Sequence, residues 1–278
     1  MRKNLLIVFL LVLAANIFAV DFNDFEKSKI DELQALRMEL KAYYTTDDAV
    51  QQVEAFAQKL NSIEDQKLIG KEAKLLLDSI IGWEIYNWHY EVDPKSEKLK
   101  TIMLELHSSL KNYIKNNENS DINPWIYSCA GDITSSTLQY LSKTDAMKEG
   151  LAVKKYYEIA LEKDSQMSWA LMDLAQWYFH APAFAGGGKR KALSYFEKAL
   201  DASKTQSEIF FSKIFLSQGL YENDKTVEAA TMLESLHELV PNSNYIKFLQ
   251  RLNKAGYSLF YYTVNREKVD EKLNLKAN

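Results

Sequence analysis

Nine glycines and four prolines are spread over 278 residues. Such a scarcity of chain-breaking residues leaves little room for a many-stranded fold, whose hairpins consume both. Between the few breaks, apolar side chains recur at intervals of three and four, the spacing of a helix with one buried face. Hydrophobic residues make up 47% of the chain, enough for a sizeable core. A formal net charge of -4 offers no basic surplus to a phosphate backbone, so nucleic acid is not expected as a partner. The chain reads as all-α.

The periodic stretches predict about eleven helices, near 24–44, 47–62, 66–90, 94–116, 124–141, 146–162, 167–180, 189–203, 207–222, 225–239 and 242–263. All four prolines fall at junctions. Asp93-Pro94 and Asn123-Pro124 each place a capping side chain before a proline suited to a first helical position. Residues 1–19 read as a signal peptide: Arg2 and Lys3, the apolar run Leu5 to Leu13, then the small Ala14, Ala15 and Ala19. The apolar run to Phe18 falls short of the ~20 residues a spanning helix needs. Export to the periplasm or beyond is therefore expected, with membrane association only if that segment is retained. Residues 20–120 are expected to form an irregular helical cap burying Trp83, Tyr86 and Trp88, 121–264 a helical repeat region, and 265–278 a charged C-terminal tail.

One pattern recurs in the repeat region: Val153-x3-Tyr157-x2-Ala160, Ala192-x3-Phe196-x2-Ala199 and Ala229-x3-Leu233-x2-Leu236. Small residues flanking a large side chain on one helical face let two helices approach while the large group fills the gap. Leu171, Leu174, Ala175 and Tyr178 supply the partner helix. Together these residues resemble the tetratricopeptide-repeat family, whose pattern runs W-x2-L-G-x2-Y, A-x3-F, then P over roughly 34 residues. Leu171 stands where that family has Trp, Ala175 where it has Gly, and Pro241 where it has Pro. Ala160 to Ala199 spans 39 residues and Ala199 to Leu236 spans 37, so the loop at 181–188 is enlarged. The run from His180 to Leu200 is also similar to extracytoplasmic tetratricopeptide proteins, including the T-component family associated with TRAP transporters. The resemblance implies a right-handed superhelix of stacked antiparallel helix hairpins that acts as a scaffold or binding module. The sole cysteine, Cys129, lies far from the signal segment, so the lipidation cysteine of some members is missing.

Two places invite an enzymatic reading. Cys129 is a candidate nucleophile, although a lone Cys inside apolar sequence is ordinarily a small buried hydrophobe. Gly186-Gly187-Gly188-Lys189 suggests an anion-binding loop, but the G-x4-G-K-[ST] spacing fails because Arg190 follows Lys189. The four histidines are too far apart for a local metal pair, and the carboxylates sit at intervals expected of solvated helix faces. A hydrolase using Cys129 or the Gly186–Gly188 loop is thus the lesser alternative to a non-enzymatic binding protein without cofactor or metal. The expected partner is a protein or a small apolar ligand, and a homo-oligomer is left open.

The expected site is an aromatic stripe. Trp169, Met172, Gln176 and Phe179 form a second face on their helix, echoed by Phe211, Ile214, Gln218 and Tyr221 on the next outer helix. In a tetratricopeptide array this face lines the groove, where rings and two amides suit an amphipathic peptide or an apolar ligand. The competing expectation is that another helix, from 242–263 or the N-terminal region, fills the groove and makes the stripe core.

Overall fold

The computed structural model describes residues 21–43, 45–62 and 67–274. The segment read as a signal peptide lies outside them. Among the described residues are thirteen α-helices, three short 3-10 turns and no strand. The helices are α1 Asp24–Tyr43, α2 Thr46–Leu60, α3 Lys71–Val92, α4 Glu97–Asn116, α5 Pro124–Thr137, α6 Lys143–Lys163 and α7 Ser168–His180. They continue as α8 Lys189–Ala202, α9 Gln206–Tyr221, α10 Thr226–Ser235, α11 Asn244–Lys254, α12 Leu259–Val264 and α13 Arg266–Leu273.

Capping chemistry sets many of the starts. At α1, Asn23 Oδ1 accepts from the Glu26 amide at 3.0 Å while the Glu26 carboxylate accepts from the Asn23 amide at 2.8 Å. Thr205 and Glu208 repeat this reciprocal arrangement at α9. At α5 the Asn123 side chain accepts from the Trp125 amide and Pro124 takes the first turn, as the sequence predicts. Pro94 differs. Asp93 Oδ1 accepts from the Lys95 amide at 3.1 Å, a local turn that delays α4 until Glu97. The helix expected over 242–263 is broken at Gly256, whose φ of 89° is open to glycine at little cost, and so becomes α11 and α12. The stretch set apart as a charged tail contains α13, which buries Val269 and ties back to α3 through Arg266 and Glu91 at 2.7 Å.

From α2 to α11 each helix packs on the next in sequence, and the alternate helices α3, α5, α7 and α9 also touch one another in a row. The recurring small-large-small positions supply those contacts: Ala160, Ala192, Phe196, Ala199, Ala229 and Leu236 are all fully buried. The expected cap is not confined to one end. Helix α1 reaches α3, α9 and α11. It presents Ile30, Leu33 and Leu40 to the N-terminal core and Met38 and Ala42 to the C-terminal core, where Ser243 Oγ donates to the Ala42 carbonyl at 3.0 Å. Tyr86 and Trp88 are buried in the N-terminal core, and Trp83 is half-buried at its edge.

Candidate functional site

Where α1 faces the row of alternate helices, it leaves a cavity of about 540 Å³ bounded by α1, α3, α5, α6, α7 and α9. Its apolar walls are Trp83, Met172, Trp169, Trp177, Phe211 and Phe215. Its polar groups are Arg37, Asp132, Asp173, Gln176, Tyr157 and His180, with Ser135 exposed at the edge. The volume suits a small organic ligand, for which cavities run ~300–1,000 Å³.

Four of the eight stripe residues meet there: Trp169, Met172, Gln176 and Phe211. The other four do not, because α1, α11 and α12 occupy the rest of the face. Ile214 is 1% exposed, packed in the core that Met38 and Ala42 of α1 help to form. Gln218 is wholly buried, its Oε1 accepting from the Leu259 amide at 2.8 Å and from Asn253 Nδ2 at 3.1 Å, which fastens the start of α12. Phe179 lies 4.4 Å, centroid to centroid, from Phe260 of α12. Tyr221 donates to the Asn253 carbonyl at 3.1 Å and borders a separate, open groove of about 1020 Å³ between α10 and α11. The stripe is thus divided: Trp169, Met172, Gln176 and Phe211 border the cavity, whereas Ile214, Gln218, Phe179 and Tyr221 pack against other helices.

At the centre of the cavity wall stand two carboxyls the sequence reading passed over. Asp132 of α5 and Asp173 of α7 lie within hydrogen-bonding reach of each other. Tyr157 donates to Asp132 Oδ1 at 2.8 Å and Gln176 Nε2 donates to Asp173 Oδ1 at 3.0 Å. Both acids are half-buried. Their remaining surface faces the cavity, so surrounding protein rather than open water governs their charge. Burial pushes the Asp132 carboxyl up to about 6. Burial, then the Asp132 charge, raises Asp173 well above the ordinary carboxylate range. Two acids so placed hold one proton between them over a wide pH interval.

The carboxyls meet where α5 packs on α7, and Tyr157 reaches Asp132 because α6 lies close against α5. Gly131 bears the edge of the Tyr157 ring, where a Cβ would stand 2.4 Å from Cε1. Arg37 enters from α1, its Nε donating to Glu84 Oε2 at 2.9 Å and its Nη1 to Gln34 Oε1 at 2.7 Å. Its guanidinium lies over the rings of Trp83, Trp169 and Phe211, at 5.1, 5.6 and 5.9 Å from their centroids. Burial lowers the His180 pKa, which favours its neutral form.

Comparisons with family models, with curated proteins and with solved structures return no match. Chemistry at the site therefore rests on its own residues. Cys129 is buried behind Asp132, and burial pushes its thiol well above the usual range, which disfavours the thiolate a nucleophile needs. The glycine loop turns its amides inward: Gly186 donates to the Ala183 carbonyl at 2.9 Å, Gly187 to Pro182 at 3.2 Å and Gly188 to Tyr178 at 2.8 Å. A Cβ on Gly187 would fall 1.8 Å from the Ala181 oxygen, so that glycine serves the close turn. Lys189 pairs with Glu222 at 2.6 Å. Among the described residues no group of three or more His, Cys, Asp or Glu is placed to hold a metal ion, and no helix is long and apolar enough to cross a membrane.

A signal for the acid pair was present in the sequence. Asp132 is the only charged residue of α5, and Asp173 the only carboxylate of α7, both helices being otherwise largely apolar.

Proposed function

We propose that this protein is a non-enzymatic binding protein of the cell envelope, a tetratricopeptide-like right-handed stack of helix hairpins that captures a small molecule in the cavity beneath α1. The observation that carries this reading is the cavity itself. Its walls combine five large aromatic rings with a few convergent polar groups, the usual composition of a ligand site. The reading of the stack is supported by the pairing of successive helices and by the burial of the recurring small-large-small positions. Export is supported by the sequence of residues 1–19 and is tested by mass spectrometry of the native N-terminus, an intact Met1 counting against it.

Ligand capture is tested with Ser135→Trp, which puts a bulky ring at the exposed edge of the cavity and leaves the core untouched. Small aromatic and amphipathic molecules should quench or shift tryptophan fluorescence in the wild type and fail to do so in the variant, with both unfolding at the same temperature. Equal responses from the two proteins would place binding elsewhere. A second reading, docking of a protein partner, is favoured by the open groove between α10 and α11. It gains if Ala230→Arg in that groove abolishes retention of a partner from envelope extract while Ser135→Trp does not.

A further inference from the structure

We infer that the ligand of this cavity is an organic cation, an ammonium or amidinium group on an apolar or aromatic body, held by Asp132 and Asp173 and stacked against Trp169. This rests on the reading of the cavity as a ligand site and adds the chemical class.

Charge matching comes first. Among the described residues no cationic side chain forms an ion pair with Asp132 or Asp173, although other acids, the more exposed Glu32 and Glu91 and the buried Glu149, each have a cationic partner. Arg37 is the cation nearest the pair by its effect on both carboxyls. It is held in a buried salt bridge with Glu84 and bonded to Gln34, so its charge is already matched. The remaining groups that act on the pair are Tyr157 from α6, Cys129 from α5 and Gln176 from α7, none of which supplies a positive charge, while His180 sits exposed at the cavity's edge with its ring against Phe179 and Phe260. An aromatic-lined chamber with an unanswered acid pair is the electrostatic complement of a cation.

The walls agree with this assignment. Ring faces carry the negative end of the aromatic quadrupole, which attracts cations and repels anions. The chamber already stacks one cation in this way, the Arg37 guanidinium over Trp83, Trp169 and Phe211. An anion would meet both the ring faces and the carboxyls. A neutral molecule would leave the acids dependent on their proton. Below about pH 6, where Asp132 still holds its proton, a cation replaces that proton as the counter-charge and binding releases it to solvent. The affinity for a cation should therefore rise with pH as Asp132 ionises, near pH 6.

The experiment is calorimetric titration of the full chain with 2-phenylethylammonium, its neutral counterpart 2-phenylethanol and the anion 3-phenylpropionate. The cation should bind about tenfold or more tightly than the alcohol near pH 7, lose about tenfold in affinity on going to about pH 5, and release protons at about pH 5, seen there as a buffer-dependent heat. Asp132→Asn, which removes the carboxyl that ionises near pH 6, should weaken the cation by about tenfold or more and leave the alcohol unchanged. Equal binding of cation and alcohol, or preference for the anion, would overturn the cation assignment and leave the cavity reading standing. If no probe binds to wild type even at millimolar concentration, the cavity reading falls with it.

Discussion

Replacing Asp132 by asparagine removes a carboxyl whose ionisation is opposed by burial and keeps the acceptor oxygen that Tyr157 donates to at 2.8 Å. In the unfolded chain this group ionises near 3.8, whereas in the folded protein it is held up to about 6. An acid with a raised folded value keeps its proton longer when folded. Its contribution is nil below about pH 4, turns unfavourable as pH rises between about 4 and 6, and is constant above. The difference of roughly two units, at about 1.4 kcal/mol each, amounts to a penalty of about 3 kcal/mol at neutral pH. Relief of Asp173, which is raised partly by the Asp132 charge, acts in the same direction. Urea unfolding followed by circular dichroism at several pH values should therefore find Asp132→Asn about 3 kcal/mol more stable than wild type at pH 7 and nearly equal to it below pH 4. A difference that stays flat across this range, or grows towards acid, would refute the account of a buried, charge-opposed acid pair. Weaker cation binding by the more stable variant would mark the pair as a site kept at the expense of stability.

Three further outcomes follow from the geometry. Gln218→Leu should destabilise by about 1–3 kcal/mol in thermal or urea unfolding, because the Leu259 amide and Asn253 lose their acceptor in a buried place. Gly131→Ala drives a methyl into the Tyr157 ring and should cost about 1–3 kcal/mol; spectrophotometric titration should also show the Tyr157 phenol, raised first by burial and then by the nearby acids, moving part of the way back as the displaced ring becomes less buried and leaves Asp132. Trp169→Ala should lower stability by about 3–5 kcal/mol, since the ring is 8% exposed and touches Trp125 and Phe211, and should also weaken cavity binding by more than the stability loss explains.

The local chemistry of the helices was largely readable. Asn123-Pro124 marks a start because the side chain and the proline act within one turn. The small residues at Ala160, Ala192 and Ala199 mark packed faces because helix approach needs them. Pro94 misleads for an equally local reason, since the Asp93 turn wins over early helix entry. What covers a face is another matter. Periodicity places Trp169, Met172, Gln176 and Phe179 on one stripe, but nothing near them in sequence says that the Arg37 side chain of α1 reaches over Trp169, that a cavity borders the first three, or that Phe260 covers the fourth. The acid pair shows the same limit. Each aspartate is conspicuous alone in its apolar helix, yet their proximity arises from the packing of α5 on α7, which only the tertiary structure supplies.

The most direct test of the account is a crystal structure of the protein soaked or grown with 2-phenylethylammonium at a pH near 7. The expected result is ordered density beneath α1, with the ammonium against Asp132 and Asp173 and the ring on Trp169, at an occupancy that falls in Asp132→Asn. Density confined to the groove between α10 and α11, or a cavity that stays empty of ligand at saturating concentration, would contradict it.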